Sequence, residues 1–415
     1  MDRHIAAEDF LRKHHMHPDQ TSAAAFVDAF TTEMSAGLRG LPSSIGMFPA
    51  YLSCGSEPAK DTPVLVVDAG GTNLRCARMR YTDGGFVTEA IRKGRMPGTQ
   101  GEVSAQELFE TMAREIMAVG ADCELACISF SYPCEVLPNG DGRMIRLTKE
   151  LHVTDLVGSL VCEPLEAALK KLGAPGKRRW RLINDTVGTL LGGMAQCRRE
   201  KYSDFVGLIL GTGTNTCAAF PAESIAKSEA AMAMGGEVVV NLESGGFDRF
   251  PLGSGDEALD SASIQPGKQR LEKTISGGYY PQLLKKTLEL AVKEGLLSSA
   301  ALDALCAGGF GMKEVDALCN DAEADGFIRT VNALLLERAA KLTACALAAI
   351  ILYRKPAPGS LICVCSDGTT IEKNPLLRPR CEAYLAELLG PHNVQAEFFQ
   401  VSDATLLGSA YAGLL

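Results

Sequence analysis

Two apolar runs that break on glycine-rich turns constrain this chain more than any other feature. The run PVLVVDAGGTNLRCARMRY carries Val64 to Val67 into Asp68 and a Gly70-Gly71 pair, and alternation then resumes through Leu74, Cys76 and Ala77. FVGLILGTGTNTCAAF repeats the form, with an apolar strand entering Gly211-Thr212-Gly213-Thr214-Asn215 before a second short strand. A related strand, LICVCSDGTT, ends in Asp367-Gly368-Thr369. The first two each read as a strand, a tight turn and a second strand, the third as a strand running into a glycine. Recurrence of the form points to two related α/β halves, each presenting a glycine turn towards one cleft. Glycine is abundant, 42 of 415 residues, against an average near 7%. It gathers in these turns rather than in a linker or a collagen-like repeat.

The rest of the composition narrows the class. The length suggests two or three domains. A formal net charge of −9 speaks against nucleic acid or an anionic membrane as the main partner, because both are met by basic surfaces. The fourteen cysteines are scattered, many in apolar runs, and form no C-x-x-C. Cys123 with Cys127 and Cys363 with Cys365 are weak zinc spacings, and His14, His15 and His17 read as a helix end. The opening MDRHIAAEDFLRKHHMH is charged and His-rich, so the expectation is a chain without an export signal in the reducing cytoplasm. LTACALAAIILY, residues 342–353, is too short to span a bilayer and reads as a core helix.

Residues 5–39 have helical periodicity, followed by a Gly-, Pro- and Ser-rich loop up to the first turn. ELACISFSYP and RWRLINDT read as strands. SAQELFETMAREIMAV, VGSLVCEPLEAALKKL and TVGTLLGGMAQCR read as helices, an alternation that argues for α/β architecture. Residues 281–354 read as mostly helical, with breaks near Gly308–Gly311 and Asp325-Gly326. SDATLLGSAYAGLL reads as a short helix whose small residues pack closely on something.

No G-x-x-x-x-G-K-[ST] occurs and no G-x-G-x-x-G opens a helix after a strand, which excludes a P-loop and a Rossmann site. In the two glycine turns, successive N–H groups and Thr hydroxyls can hold an anion. Taken singly, each is equally an ordinary hairpin. Asn184-Asp185-Thr186 reads locally as a helix N-cap, since a helix-like run follows.

From about Met34 to the C-terminus the sequence resembles the hexokinases of the sugar-kinase and actin-like ATPase superfamily. SSIGMFPAYL resembles the stretch before their first strand, and VVDAGGTNLR their first phosphate loop. SFSYP is similar to a sugar-contacting loop, LTK to a Thr-Lys sugar contact and INDTVGTL to the catalytic segment. LILGTGTN resembles the second phosphate loop. VNLESGGFD and PGKQRLEKTISGGYY resemble the remaining sugar-binding segments, all in the family's order.

The resemblance implies a two-lobed actin-like ATPase fold of the ribonuclease H type, with small and large α/β domains around a deep cleft. Residues 1–62 would be an N-terminal helical segment and loop of the large domain. Residues 63–185 with the helix 403–415 would form the small domain, and 186–402 the large one. It implies phosphorylation of glucose or a related hexose on the 6-hydroxyl by ATP, as in the first step of glycolysis. Asp185 would act as base and Lys149 would offset charge on the moving phosphoryl group. Ser131, Thr148, Lys149, Asn184, Asp185, Asn215, Glu243 and Glu272 would bind the sugar. Asp68, Gly70, Gly71, Thr72, Asn73 and Arg75, with Gly211, Thr212, Gly213, Asp367, Gly368 and Thr369, would hold the nucleotide. Asp68 would reach Mg2+ through water. The implied partners are hexose and ATP, with neither nucleic acid nor membrane, for a monomer or homodimer.

Three positions depart from the family pattern. Ser244 stands where an aromatic residue is usual, Asp403 to Ala410 has Gly408 alone where the adenosine-side segment of the family is glycine-rich with a lysine, and Glu150-Leu151 replaces Gly-Phe. They keep two alternatives open: a hexokinase-like sugar sensor without turnover, and a sugar kinase with another acceptor or phosphate donor.

Overall fold

The computed structural model describes residues 3–53, 56–147 and 151–415. Contacts divide the chain into two units. The first contains Met1–Gly46, Lys201–Thr216 and Leu242–Gln400; the second contains Met47–Glu200, Cys217–Asn241 and Val401–Leu415.

The second unit is built on a five-stranded sheet. Its order is Arg179–Ile183, Leu125–Phe130, Pro63–Ala69, Asn73–Thr82 and Gly85–Arg95. The first three strands are parallel and the last two extend the sheet as antiparallel hairpins. Alternate residues serve opposite faces, as the two-residue period of a strand requires. Leu65, Val67, Leu74 and Cys76 pack with Leu108 and Met112 of helix Ala105–Met117 and with Leu165 of helix Cys162–Lys171. Val64, Val66, Ala77 and Met79 pack on Leu406, Ala410 and Leu414 of the C-terminal helix Ala404–Leu414. That helix also crosses Asp185–Gln196 at close range: a Cβ on Gly408 would stand 1.9 Å from the Gly188 carbonyl oxygen. Among the small residues of the last segment, Gly408 faces this crossing, while Ala410 and Gly413 lie against the sheet. Strand Phe48–Ser53 pairs antiparallel with Glu237–Asn241, which in turn pairs with Cys217–Pro221.

In the first unit, Asp204–Leu210, Leu361–Asp367 and Gln395–Gln400 are parallel. The 28-residue helix Gly326–Tyr353 contains the apolar run 342–353 and buries most of its residues. Its Arg338 forms a buried ion pair with Asp256, 2.7 Å between Nη2 and Oδ2. Among the described residues no helix is long and apolar enough to cross a membrane.

Two helical expectations are corrected. Residues 5–39 form two helices, Arg3–Lys13 and Ala23–Leu38, because Pro18 starts a separate short turn capped by His17 and Ser22 caps the second helix. The helix expected over 157–172 begins only at Cys162. There the buried carboxylate of Asp141, distant in sequence, accepts from the amides of Cys162 at 2.7 Å and Glu163 at 2.9 Å. Such a remote cap satisfies the orphan donors of the first turn and fixes where the helix starts.

The sequence-based division groups 1–62 and 186–402. By contacts, 47–62, 186–200 and 217–241 join the second unit, as the pairing of Phe48–Ser53 and the helix crossing at Gly188 illustrate.

Candidate active site

The first glycine turn closes the hairpin between Pro63–Ala69 and Asn73–Thr82. The Gly70 amide donates to the Asn73 carbonyl at 2.9 Å, and the Met96 amide to the Thr72 carbonyl at 3.0 Å. Thr72 and Asn73 are exposed. Beneath the turn, the Tyr132 hydroxyl lies 3.2 Å from the carbonyls of both Gly70 and Gly71. Burial pushes this phenol up to about 12, so it stays a donor at neutral pH. Tyr132 is a supporting residue that sequence reasoning missed, although it lies inside SFSYP. Its neighbour Ser131 is tied to the same hairpin by its amide, which donates to the Ala69 carbonyl.

Asp68 sits opposite Arg75 in the strand register. Its Oδ2 accepts from Arg75 Nε at 2.7 Å and lies 2.6 Å from Nη2. Arg75 also donates to Asp403 at 2.8 Å and to the Thr405 hydroxyl at 3.0 Å. The guanidinium thus fastens the strand to the C-terminal segment, and Asp403 and Thr405 join the cluster unannounced by the sequence. Burial raises the Asp68 carboxyl above its ordinary value despite Arg75, and the charge of Asp185 pushes it the same way. Two carboxylates therefore feel one another at this end of the sheet.

Asn184 and Asp185 begin helix Asp185–Gln196. The Asn184 side chain performs the capping, accepting from the Thr186 amide at 2.9 Å. Asp185 is half-buried in the first turn, where among the described residues its carboxylate receives a long contact from the Thr186 hydroxyl, 3.4 Å. Negative charge is favoured at that end of a helix.

In the first unit, the second glycine turn is locked from outside. The Gly211 carbonyl accepts from the Gly277 amide at 2.8 Å and the Thr370 hydroxyl at 2.9 Å, and the Thr212 carbonyl from the Gly278 amide at 2.9 Å. Gly368 has φ +123° and lies so close that a Cβ would meet the Leu210 carbonyl at 2.5 Å. Gly211, Gly277, Gly278 and Gly368 are what permit this close stacking of backbone. Glu272 Oε2 accepts from the Thr214 amide at 3.0 Å, and a Cβ on Gly213 would approach that oxygen to 2.6 Å. Asn215 donates to Glu243 Oε1 at 3.3 Å and accepts from the Ser244 amide at 3.2 Å. Asn215, Glu243 and Glu272 thus form one polar group beside the turn. Asp367 ends strand Leu361–Asp367 and Thr369 opens the short helix Thr369–Lys373.

The structure brings Asp68, Arg75, Ser131, Asn184 and Asp185 into the second unit, and Gly211 to Asn215, Glu243, Glu272 and Asp367 to Thr369 into the first. Thr148 and Lys149 lie outside the described residues. Among those described, no group of three or more His, Cys, Asp or Glu is placed to hold a metal by itself. The Sγ atoms of Cys363 and Cys365 lie 3.7 Å apart.

Comparison with known proteins places the chain in a family. Two hexokinase family models match, one over residues 6–195 and the other over 205–325 and 311–415. Hexokinase-2 of Solanum tuberosum is 30% identical over 317 residues, 72% of this chain and 63% of that protein. Hexokinase-1 of Arabidopsis thaliana is 34% identical over 282 residues, 63% of this chain and 55% of that protein. The matched region thus spans less than two thirds of these relatives' length. A solved hexokinase from Schistosoma mansoni, complexed with glucose, superposes with a TM-score of 0.76 at 22% identity, covering 100% of this chain and 99% of that one. The expected two-domain actin-like ATPase fold is therefore the fold found. With both family models placed along almost its whole length, this chain belongs to the hexokinase family.

Proposed function

We propose that the chain is an ATP-dependent hexokinase, transferring the γ-phosphate to the 6-hydroxyl of glucose or a related hexose. The observation that carries this reading is the division of labour at the helix start. Asn184 takes the capping bond and leaves Asp185, an acid at a helix N-terminus, for an incoming hydroxyl. Phosphoryl transfer asks mainly for positioning and charge stabilisation. A carboxylate that orients the attacking hydroxyl and accepts its proton typically contributes a factor of roughly 10²–10⁴. Asn215, Glu243 and Glu272 supply the mixed donors and acceptors that sugar hydroxyls require. Thr148 and Lys149 keep the sugar and charge-offsetting roles that the resemblance assigns.

The donor set also suits Mg2+, which takes oxygen ligands, retains water and uses one or two carboxylates beside substrate phosphates. Asp68 and Asp185 provide two oxygen-bearing groups; burial raises Asp68 and the charge of Asp185 adds to it, a repulsion that a divalent cation would relieve. Asp68 would hold the ion through water, and the ion would supply charge neutralisation at the phosphates. On the protein side, the amides of Gly71, Thr212 and Gly213 would hold phosphate oxygens, as backbone donors in such turns do elsewhere, while the Gly70 and Gly211 amides close their own turns on the Asn73 and Gly213 carbonyls. Within the same proposal, a reducing, cytoplasmic setting suits cysteines such as Cys76, Cys127 and Cys381 that are buried as small hydrophobes, and a role at the entry to glycolysis follows from the product.

The test is phosphorylation by the purified chain with ATP and Mg2+ over a panel of hexoses, amino-sugars and phosphate donors. Hexose 6-phosphate is expected, with Asp185→Ala lowering turnover by a factor of at least about 100. Formation of no sugar phosphate above that control would overturn the proposal. A different preferred acceptor would assign the departure at Ser244 to specificity.

A further inference from the structure

A carboxylate remote from both glycine turns is buried in helix Ala23–Leu38. Glu33 is only 8% exposed and shares its helix with buried Phe26, Phe30 and Met34. A buried carboxylate is unfavourable unless hydrogen bonds or a counter-charge compensate it. Here the larger part of the compensation comes from a loop and the smaller part from a cation. Glu33 Oε2 accepts from the Ser44 amide, from the Ser44 hydroxyl at 2.9 Å and from the Ser43 hydroxyl at 3.1 Å. The nearest guanidinium, Arg249, is 65% exposed and stands 3.4 Å from the other oxygen. Burial alone would raise the Glu33 carboxyl, but the Ser44 and Ser43 bonds outweigh it and bring it below the ordinary carboxylate range.

The loop held in this way presses on the segment that carries Glu243. A Cβ on Gly246 would stand 2.5 Å from the Ser44 carbonyl oxygen and 3.2 Å from Gln269 Oε1. The Gly246 amide in turn donates to the Glu243 carbonyl at 3.1 Å. Glu243 itself is left-handed, with φ 56° and ψ 44°. Such a conformation is sparsely populated by non-glycine residues and persists only where the surroundings over-determine it. The contacts that over-determine it on one side come from Ser44 through Gly246, and on the other from Asn215.

We propose that Glu33 is a positioning residue for the sugar-binding carboxylate: acting through Ser43 and Ser44, it fixes the Gly245–Gly246 turn and so the left-handed backbone of Glu243. It touches no substrate. The inference rests on the hexokinase reading above, because it assigns Glu243 to the sugar.

Glu33→Ala, Glu33→Gln and Ser43→Ala/Ser44→Ala, each in the full chain, test this. KM for hexose, KM for ATP and kcat are measured, with hexose affinity by calorimetry and folding by circular dichroism. Glu33→Ala is expected to raise KM for hexose about tenfold, since small displacements of binding groups have effects of this size or more. KM for ATP should stay within about twofold, as expected when only binding of the sugar is weakened. Glutamine can place its carbonyl where Oε2 accepts and loses only the Arg249 contact, so Glu33→Gln should remain near wild type. The proposal is overturned if a folded Glu33→Ala binds hexose normally, if both KM values rise together, or if Glu33→Gln is as impaired as Glu33→Ala. Should Glu33→Ala not fold, the double serine variant carries the same expectation and the same refutation. Wild-type protein that binds hexose without turnover overturns the kinase reading alone, and the calorimetric comparison still decides the role of Glu33. Wild-type protein that neither binds nor phosphorylates hexose overturns both.

Discussion

Asn184 and Asp185 are adjacent, yet their side chains have separable work. Removing the Asn184 cap should cost about 1 kcal/mol of stability. Asp185→Ala forfeits only a first-turn charge, worth about 0.3–1 kcal/mol, but is expected to abolish most turnover. Denaturant unfolding and turnover rates measured side by side on Asn184→Ala and Asp185→Ala would show this split. If Asp185→Ala were the less stable of the two and retained full activity, the roles would be reversed. At this scale the sequence carries much of the candidate site. Asp68, Asn184, Asp185, Asn215 and Glu243 stand in segments whose local order is recognisable. What it does not carry are the residues that hold them. Tyr132, Asp403 and Thr405 act on groups far along the chain, and Glu33 acts through a loop whose only signal is a pair of serines. Arg75 is the instructive case: its position is legible, but its three partners Asp68, Asp403 and Thr405 depend on strand register and on where the last helix begins.

At the scale of elements, strands and helices follow apolar period where local sequence dominates. Helix Ala105–Met117 opens on a Ser104–Glu107 capping box, which is readable from four residues. Helix Cys162–Lys171 opens where a distant Asp141 sits, which is not. The C-terminal helix lies between these cases. Its small residues announce close packing, but not that Asp185–Gln196 is the partner. Gly188 and Gly408 are both helical, and a Cβ on Gly408 would meet the carbonyl oxygen, carbonyl carbon and Cα of Gly188 at 1.9–2.6 Å. All three are backbone atoms, so no side chain can turn aside and the helices must separate. Gly408→Ala should therefore destabilise by about 3 kcal/mol or more, the upper range for overpacked cores. Gly94→Ala is the control, since Gly94 lies in a strand with nothing within 4 Å of its would-be Cβ. Similar unfolding midpoints for the two variants would refute the crossing.

For the whole molecule, the chain passes between its two units at 46, 200, 216, 241 and 400. Repeated glycine turns suggest two halves, but not these crossing points, because unit membership is decided by pairings such as Phe48–Ser53 with Glu237–Asn241. The last crossing gives the cleanest test, since everything after Gln400 belongs to the second unit. A chain ending at Gln400 loses Leu406, Ala410 and Leu414, which cover Val64, Val66, Ala77 and Met79. Each large apolar side chain uncovered forfeits about 1.5–3 kcal/mol, so the sum is comparable with the roughly 5–15 kcal/mol that holds a domain together. Arg75 loses Asp403 and Thr405 in the same step, which leaves Asp68 with a less firmly held partner. The first unit is affected differently. Its large helical core, from Phe10 and Leu11 to Leu284, Phe327 and Leu336, contains no residue beyond Gln400. Hydrogen exchange on the truncated chain should then show lost protection in Pro63–Ala69 and Asn73–Thr82 with protection retained in Gly326–Tyr353. Equal loss in both regions would mean that the two units unfold as one block, and that the contact boundaries do not mark separate cores.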